Sequence, residues 1–240
     1  MPDAQDLPPD PEDLPSTLKR PTGPLRRPAA VLTDEVVMLD DLRDTDVDAI
    51  VTCCDDPEVA RWLPLPSPYT ATDARAFLAS IQGLSEAGDS LAFAIRDAID
   101  GAYLGTIGLH FARCRAGEAE IGYLVSPAAR GRGVARRAVR LLADWALRNY
   151  GCRRVELLVQ PGNVASRRAA EGAAAAFEGT RRNGLALRSG TVTDAAVYAL
   201  TSEDLSSRSL GFRHAAEHHC IRVRPRAQPP DRSRPMGACR

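Results

Sequence analysis

Lysine is almost missing from this chain: of 31 basic residues only Lys19 is a lysine, and the rest are arginines. The bias marks a GC-rich coding sequence and carries no functional meaning. A charge excess of either sign is missing too, since 31 acidic residues balance the 31 basic ones. Such a chain has no net basic charge, which argues against nucleic acid as its main partner. No stretch approaches the roughly 18 apolar residues of a membrane-spanning helix, and the N-terminus has no apolar core behind a basic patch. The six cysteines, Cys53, Cys54, Cys114, Cys152, Cys220 and Cys239, form no Cys-x-x-Cys pair. Free thiols in a reducing cytoplasm are therefore expected, with Cys53 and Cys152 as small buried side chains. A P-loop is absent, as is the Gly-x-Gly-x-x-Gly spacing of dinucleotide-binding folds. No internal repeat is visible.

What is present fits one core of about 150 to 200 residues with a tail at each end. Residues 1–30 hold eight prolines and too little apolar content to offset the entropy of ordering, so this segment is expected to be disordered. Residues 206–240, with eight arginines and four prolines, are expected to behave alike. Between them, strand and helix signals alternate. Val36–Leu39, Leu91–Arg96, Tyr103–Phe111, Glu118–Val125 and Val155–Val159 read as strands, with Leu185–Leu187 and Ala195–Leu200 as a closing pair. Asp44 is the expected N-cap of a helix to about Cys54; further helices are expected from Pro57, from Thr72-Asp73 to about Glu86, and over Ala165–Ala175. The predicted class is α/β (α+β), with a central mixed, mostly antiparallel sheet flanked by helices.

One segment concentrates the chemistry. The strand ending Ile121-Gly122-Tyr123-Leu124-Val125 is broken by Ser126-Pro127, and Arg130-Gly131-Arg132-Gly133-Val134-Ala135 follows. A long amphipathic helix then runs to Tyr150-Gly151. Its apolar face is Val134, Ala138, Leu141, Leu142, Trp145 and Ala146, with Arg136, Arg137, Arg140 and Arg148 outside, where solvation is their expected role. Glycines let a backbone curl so that several N–H groups converge, and the helix start adds the positive end of its dipole. The expected guest is a phosphate or pyrophosphate; the competing reading is a tight turn with exposed arginines.

Arg-Gly-x-Gly-x-Ala after such a strand resembles the acetyl-CoA pyrophosphate loop of the GNAT N-acetyltransferase superfamily. A second segment agrees: Asn163-Val164-Ala165-Ser166-Arg167-Arg168-Ala169-Ala170-Glu171, with Glu178-Gly179 downstream, is similar to the Asn-x-x-Ser-x-Arg-x-x-Glu…Glu-Gly run of its ribosomal-protein N-terminal acetyltransferase branch. The resemblance spans about Leu32 to Leu205 and implies an acetyltransferase domain over residues 31–205. It implies direct acetyl transfer from acetyl-CoA to a primary amine, either a protein N-terminus or a small molecule. It brings no metal, no nucleic acid and no membrane, and a monomer or homodimer.

Roles follow from the same resemblance. Leu124, Val125, Arg130, Gly131, Arg132, Gly133, Val134, Ala135 and Asn163 would bind the coenzyme, with a main-chain N–H near Leu124 and Val125 polarising the thioester carbonyl. Glu120 would take the amine proton; the competing reading is a surface glutamate. Ser166 would assist departure of the thiolate; the competing reading is an N-cap. The tyrosine that many members place seven residues after the asparagine is Ala170 here, and the usual Gly-Phe is Ala174-Ala175, with Phe177 two positions on. Trp62, Pro64, Tyr69 and Phe77 lie where the family builds its acceptor wall, with core packing the alternative. His110 reads as structural or exposed. His214, His218, His219 and Cys220 lack the orderly fourth ligand and supporting shell of a zinc site. Two other readings stay open: a non-catalytic acyl-CoA-binding or sensing module, and an interaction protein acting through its Arg-rich tail.

Overall fold

Nine strands form one sheet in a computed structural model that describes residues 23–111, 117–187 and 190–207 and the backbone of 224–225. They are β1 (Ala30–Thr33), β2 (Val37–Asp40), β3 (Ser90–Asp97), β4 (Tyr103–His110), β5 (Glu118–Val125), β6 (Arg154–Val159), β7 (Ala176–Ala186), β8 (Val192–Leu200) and the two-residue β9 (Arg224–Pro225). Their order is β7-β8-β6-β5-β4-β3-β2-β1-β9. All neighbours are antiparallel except β5 and β6. That one parallel pair needs a crossover, and helix α4 (Val134–Asn149) supplies it. The mixed, mostly antiparallel sheet flanked by helices is the expected class.

Helices α1 (Val47–Cys54), α2 (Pro57–Trp62) and α3 (Ala71–Glu86) connect β2 to β3. Helix α5 (Val164–Gly172) connects β6 to β7, and α6 (Ser202–Ser207) follows β8. The periodic apolar stripe of α4 does what its spacing requires: Val134, Ala138, Leu142 and Ala146 are buried in the larger core cluster. A smaller cluster of Val47, Ile50, Cys54, Tyr69 and Ala74 lies under α1 and α3, and Leu124 of β5 packs against it. Successive side chains of β5 therefore serve opposite cores, with Tyr123 and Val125 on the larger one.

Several boundaries differ from expectation for identifiable reasons. Helix α1 opens at Val47 after a 3-10 turn over Asp44–Asp46, and Asp46 rather than Asp44 accepts the Arg43 N–H at 2.8 Å. Helix α5 stops at Gly172. The Ala174 N–H donates to the Glu171 carbonyl and the Ala175 N–H to the Ala170 carbonyl, both at 3.0 Å, which is a Schellman closure. Strands β7 and β8 make a hairpin longer than the expected closing pair. Most of β7 is exposed, so no apolar alternation marks it. Residues 23–30, grouped by composition with the tail, lie on the body. Leu25 is buried and donates to the Ser85 carbonyl at 2.8 Å, while the Arg27 guanidinium lies 4.3 Å from the Phe93 ring centre. The histidines near the C-terminus fall outside the described residues.

Candidate active site

Strand β5 pairs with β4 from His110↔Glu120 to Gly105↔Val125, but meets β6 only at Glu118–Glu120, opposite Arg154–Glu156. Strand β6 continues to Val159 against β8. From Ile121 onward the two parallel strands have separated, so the main-chain groups of β5 that face β6 have no strand to bond. Gly105 accounts for part of this: its φ is +157°, and a Cβ there would stand 2.3 Å from the Leu124 carbonyl oxygen. Only glycine lets the end of β5 lean so far onto β4. The result is a cleft beside Leu124 and Val125.

The glycine-rich turn lies at the end of β5. Gly131 and Gly133 have φ of 75° and 74°, and Gly133 is the left-handed N-cap of α4. Within the described residues, the N–H groups of Gly131, Arg132 and Gly133 have no backbone acceptor, and the first α4 bond outside the helix proper is Arg137 N–H to the Gly133 carbonyl, at 3.3 Å. The first-turn amides of Val134, Ala135 and Arg136 have no intrahelical partner by construction. Six consecutive N–H groups at a helix start suit a pyrophosphate in both geometry and dipole. The residues present therefore fit the coenzyme that the motif implies.

The loop's arginine side chains are mostly committed elsewhere. Arg130 bonds Asp56 at 2.7 Å, Arg132 bonds Asp97 at 3.1 Å and Arg137 bonds Asp34 at 2.9 Å. Asp56 also caps α2, accepting from the Glu58 and Val59 N–H groups, so the Arg130 pair ties the turn to that helix. The hydrogen bond from Arg130 holds the Asp56 carboxyl below its ordinary pKa. Arg136 differs: its guanidinium lies over Gly133, with Nε 2.8 Å from where a Cβ would stand, and its stem covers Gly172. Solvation alone therefore does not describe these side chains.

Across the cleft, Asn163 is the N-cap of α5, and its Oδ1 accepts the Ser166 N–H at 3.0 Å. Ser166 is thus in the first turn and is not the cap. Its hydroxyl bonds Tyr123 Oη at 2.8 Å, and Tyr123 Oη also reaches the Ser166 carbonyl at 3.2 Å. Burial raises the Tyr123 pKa, so the phenol keeps its proton at neutral pH. The sequence gives no sign of this pair, whose members are 43 residues apart. Ala170, one turn further along α5, is fully buried.

Glu120 is on the opposite face of β5 from Tyr123, the face that Leu124 shares. Glu120 is half-buried and stands opposite His110 on β4 and Glu156 on β6. Glu156 is held by Arg154 at 2.8 Å and Arg181 at 3.4 Å. The His110 ring lies across Gly108 and Gly122, with Nε2 2.8 Å and 3.3 Å from where their Cβ atoms would be. Burial of the ring against the sheet lowers its pKa, although the residue keeps an exposed edge. His110 is therefore a neighbour of Glu120, a placement that sequence alone did not suggest.

Trp62, at the end of α2, covers Gly162, and Gln160 donates to its carbonyl at 3.0 Å. Tyr69 is part of the smaller core, and so packs rather than forming a wall. Burial pushes the Cys53 thiol up to about 12 and the Cys54 thiol up to about 11, so neither is a nucleophile at neutral pH. Among the described residues no group of three or more His, Cys, Asp or Glu could hold a metal ion, and no helix is long and apolar enough to cross a membrane.

Residues 37–174 match the acetyltransferase (GNAT) domain family. The uncharacterised N-acetyltransferase p20 of Bacillus licheniformis is 31% identical over 122 residues, covering 50% of this chain and 68% of that protein. Mycobacterium smegmatis RimJ, solved in complex with CoA-disulfide, superimposes with a TM-score of 0.63 at 26% identity, covering 77% of this chain and 88% of its own. The ribosomal-protein-S5-alanine acetyltransferase of Vibrio fischeri gives a TM-score of 0.61 at 18% identity, covering 73% and 98%, a likeness of fold.

Proposed function

Because the chain belongs to the GNAT acetyltransferase family, we propose that its β5–β6 cleft carries acetyl transfer from acetyl-CoA to a primary amine by direct attack, with a protein N-terminus as the acceptor. The observation that supports this most is the separation of β5 from β6 immediately before a turn with six N–H groups that have no partner among the described residues. When bound, acetyl-CoA supplies the activated thioester. The amides from Gly131 to Arg136 hold its pyrophosphate. The Leu124 main chain is paired with Thr106 of β4, so the Val125 main chain, which faces away from β4, takes the pantetheine amides and polarises the carbonyl. Asn163 retains its amide donors for the same arm, since its oxygen is used by the cap.

Glu120 accepts the amine proton from one face of the sheet, and Ser166 hydrogen-bonds the departing sulfur from the other. The cleft lies between them. The high thiol pKa values of Cys53 and Cys54 disfavour an acyl-cysteine intermediate. An α-amine with a pKa near 8 is neutral to about a tenth at pH 7, against about one part in two thousand for a lysine. One positioned carboxylate can therefore suffice for an N-terminus. The likeness to RimJ supports the same acceptor. Cys53, Cys54 and Cys152, buried and in no disulfide among the described residues, accord with a cytoplasmic setting.

Thiol release from acetyl-CoA, measured against peptides with free N-termini, polyamines and aminoglycosides, tests this reading. Turnover should be highest with a peptide and abolished when its N-terminus is blocked. Preference for a polyamine or aminoglycoside would replace the acceptor, and binding of the coenzyme without any turnover would leave a non-catalytic module.

A further inference from the structure

Tyr123 lies midway along the part of β5 that has lost β6, and its side chain is on the α4 face with Ile121 and Val125. From there its hydroxyl reaches the first turn of α5, on the far wall of the cleft, and meets Ser166 twice: Oγ at 2.8 Å and the carbonyl at 3.2 Å. The arrangement is closed on the α5 side. The Ser166 N–H is taken by Asn163, and Ala170, next on the same helix face, offers only a buried methyl group.

The contact has two hydrogen-bonding states with different consequences. A tyrosine hydroxyl has one proton to donate. If Tyr123 gives it to the Ser166 carbonyl, the Ser166 hydroxyl must donate to Tyr123 Oη, and its hydrogen is used up. If Tyr123 gives it to Ser166 Oγ, the serine's own hydrogen is released and can turn into the cleft. A serine in a helix otherwise tends to donate back to a carbonyl one turn earlier, which would also withdraw it.

We propose that Tyr123 is a positioning residue for acetyl transfer: by donating to Ser166 Oγ it turns the serine hydrogen toward the departing sulfur. This rests on the role given to Ser166 above. As the amine nitrogen bonds the acetyl carbon, the carbon–sulfur bond breaks and its electron pair stays on sulfur. The amine proton goes to Glu120, and the thiolate is held by the Ser166 O–H until solvent protonates it. Tyr123 loses no proton in the cycle. Its raised pKa keeps it a donor throughout the neutral range.

A double-mutant cycle on the full chain tests this, with kcat from thiol release and Kd for CoA by calorimetry. Tyr123→Phe keeps the ring, so CoA affinity should stay within about twofold while kcat falls about tenfold, the size of one lost hydrogen bond. Ser166→Ala should lose at least as much, and the double variant should be no slower than Ser166→Ala alone, because both remove one device. A role confined to stability would lower the melting temperature and leave kcat and the cycle additive, which would overturn the proposal. If Tyr123→Phe does not fold, Tyr123→Leu fills the site without a hydroxyl and should give the same non-additivity. Loss of turnover in Ser166→Ala with full turnover in Tyr123→Phe would refute Tyr123 alone. An unchanged Ser166→Ala would refute the serine's role, and an inactive wild type the acetyl-transfer reading itself.

Discussion

Ala174 holds a φ of 78° at the Schellman closure of α5, a left-handed angle that glycine adopts freely and an L-residue occupies at a cost of roughly 1–2 kcal/mol. The alanine in place of the family's usual glycine therefore leaves the helix end intact but strained. Ala174→Gly should stabilise the chain by about 0.5–1 kcal/mol, less than the full strain because glycine also loosens the unfolded state. Denaturant midpoints would show it, and a fall in stability would contradict the account. The missing phenylalanine is equally local: Ala175 is buried in its place, and Phe177, half exposed, tilts against Tyr198 with ring centres 5.3 Å apart. At Glu120, the proposed base, Glu120→Gln keeps shape and removes the carboxylate. Its kcat/KM at pH 7 should fall by about 10²–10³, and the deficit should shrink as pH rises toward the amine's own pKa. Wild-type activity across pH would remove Glu120 from the mechanism.

At the scale of elements, the glycine-rich turn was legible because strand, glycines and amphipathic helix adjoin in sequence and each signal is local. What sequence did not reveal is contact between distant segments. The Arg130–Asp56 pair joins residues 74 apart, and the cleft depends on Gly105 meeting Leu124 across two strands. Tyr123 was hidden for the same reason: its alternation marks it as core, and only the fold brings α5 to its hydroxyl. The phosphate site proposed for the turn is built from its backbone. Gly133→Val forces a branched side chain into a φ of 74° and against Arg136, so CoA affinity should fall by more than tenfold. Arg132→Ala, whose side chain faces Asp97, should change it by less than threefold; equal losses would contradict a backbone-built cradle.

The tie between the turn and α2 has its own pH dependence. Asp56 has a lowered pKa, chiefly through its Arg130 hydrogen bond. A depressed carboxyl contributes stability that is present above its unfolded value, near 3.9, and lost as pH falls through the folded value. Asp56→Asn preserves the α2 cap and removes the charge. It should cost up to about 1 kcal/mol at pH 7, as expected of a partly exposed pair. Wild type and variant should converge in stability near pH 2, and a gap that persists there would place the loss in the cap instead.

For the whole molecule, the coenzyme is expected to act as a clasp. The free edge of β5 leads directly into the turn at α4, whereas the start of α5 lies in the later connection between β6 and β7, on the far wall of the cleft. A ligand that bonds all three binds the folded chain alone. At a hundredfold excess over Kd the linkage amounts to about 2.7 kcal/mol. For a domain of this size that raises the melting temperature by roughly 5–11 °C. Free CoA should give a shift of similar size, since the pyrophosphate and pantetheine carry the contacts, whereas acetate should give none. Gly133→Val should melt within a few degrees of wild type without ligand and lose most of the shift with it. No shift at millimolar acetyl-CoA would mean that the separated strands and the open amides do not form a coenzyme site at all.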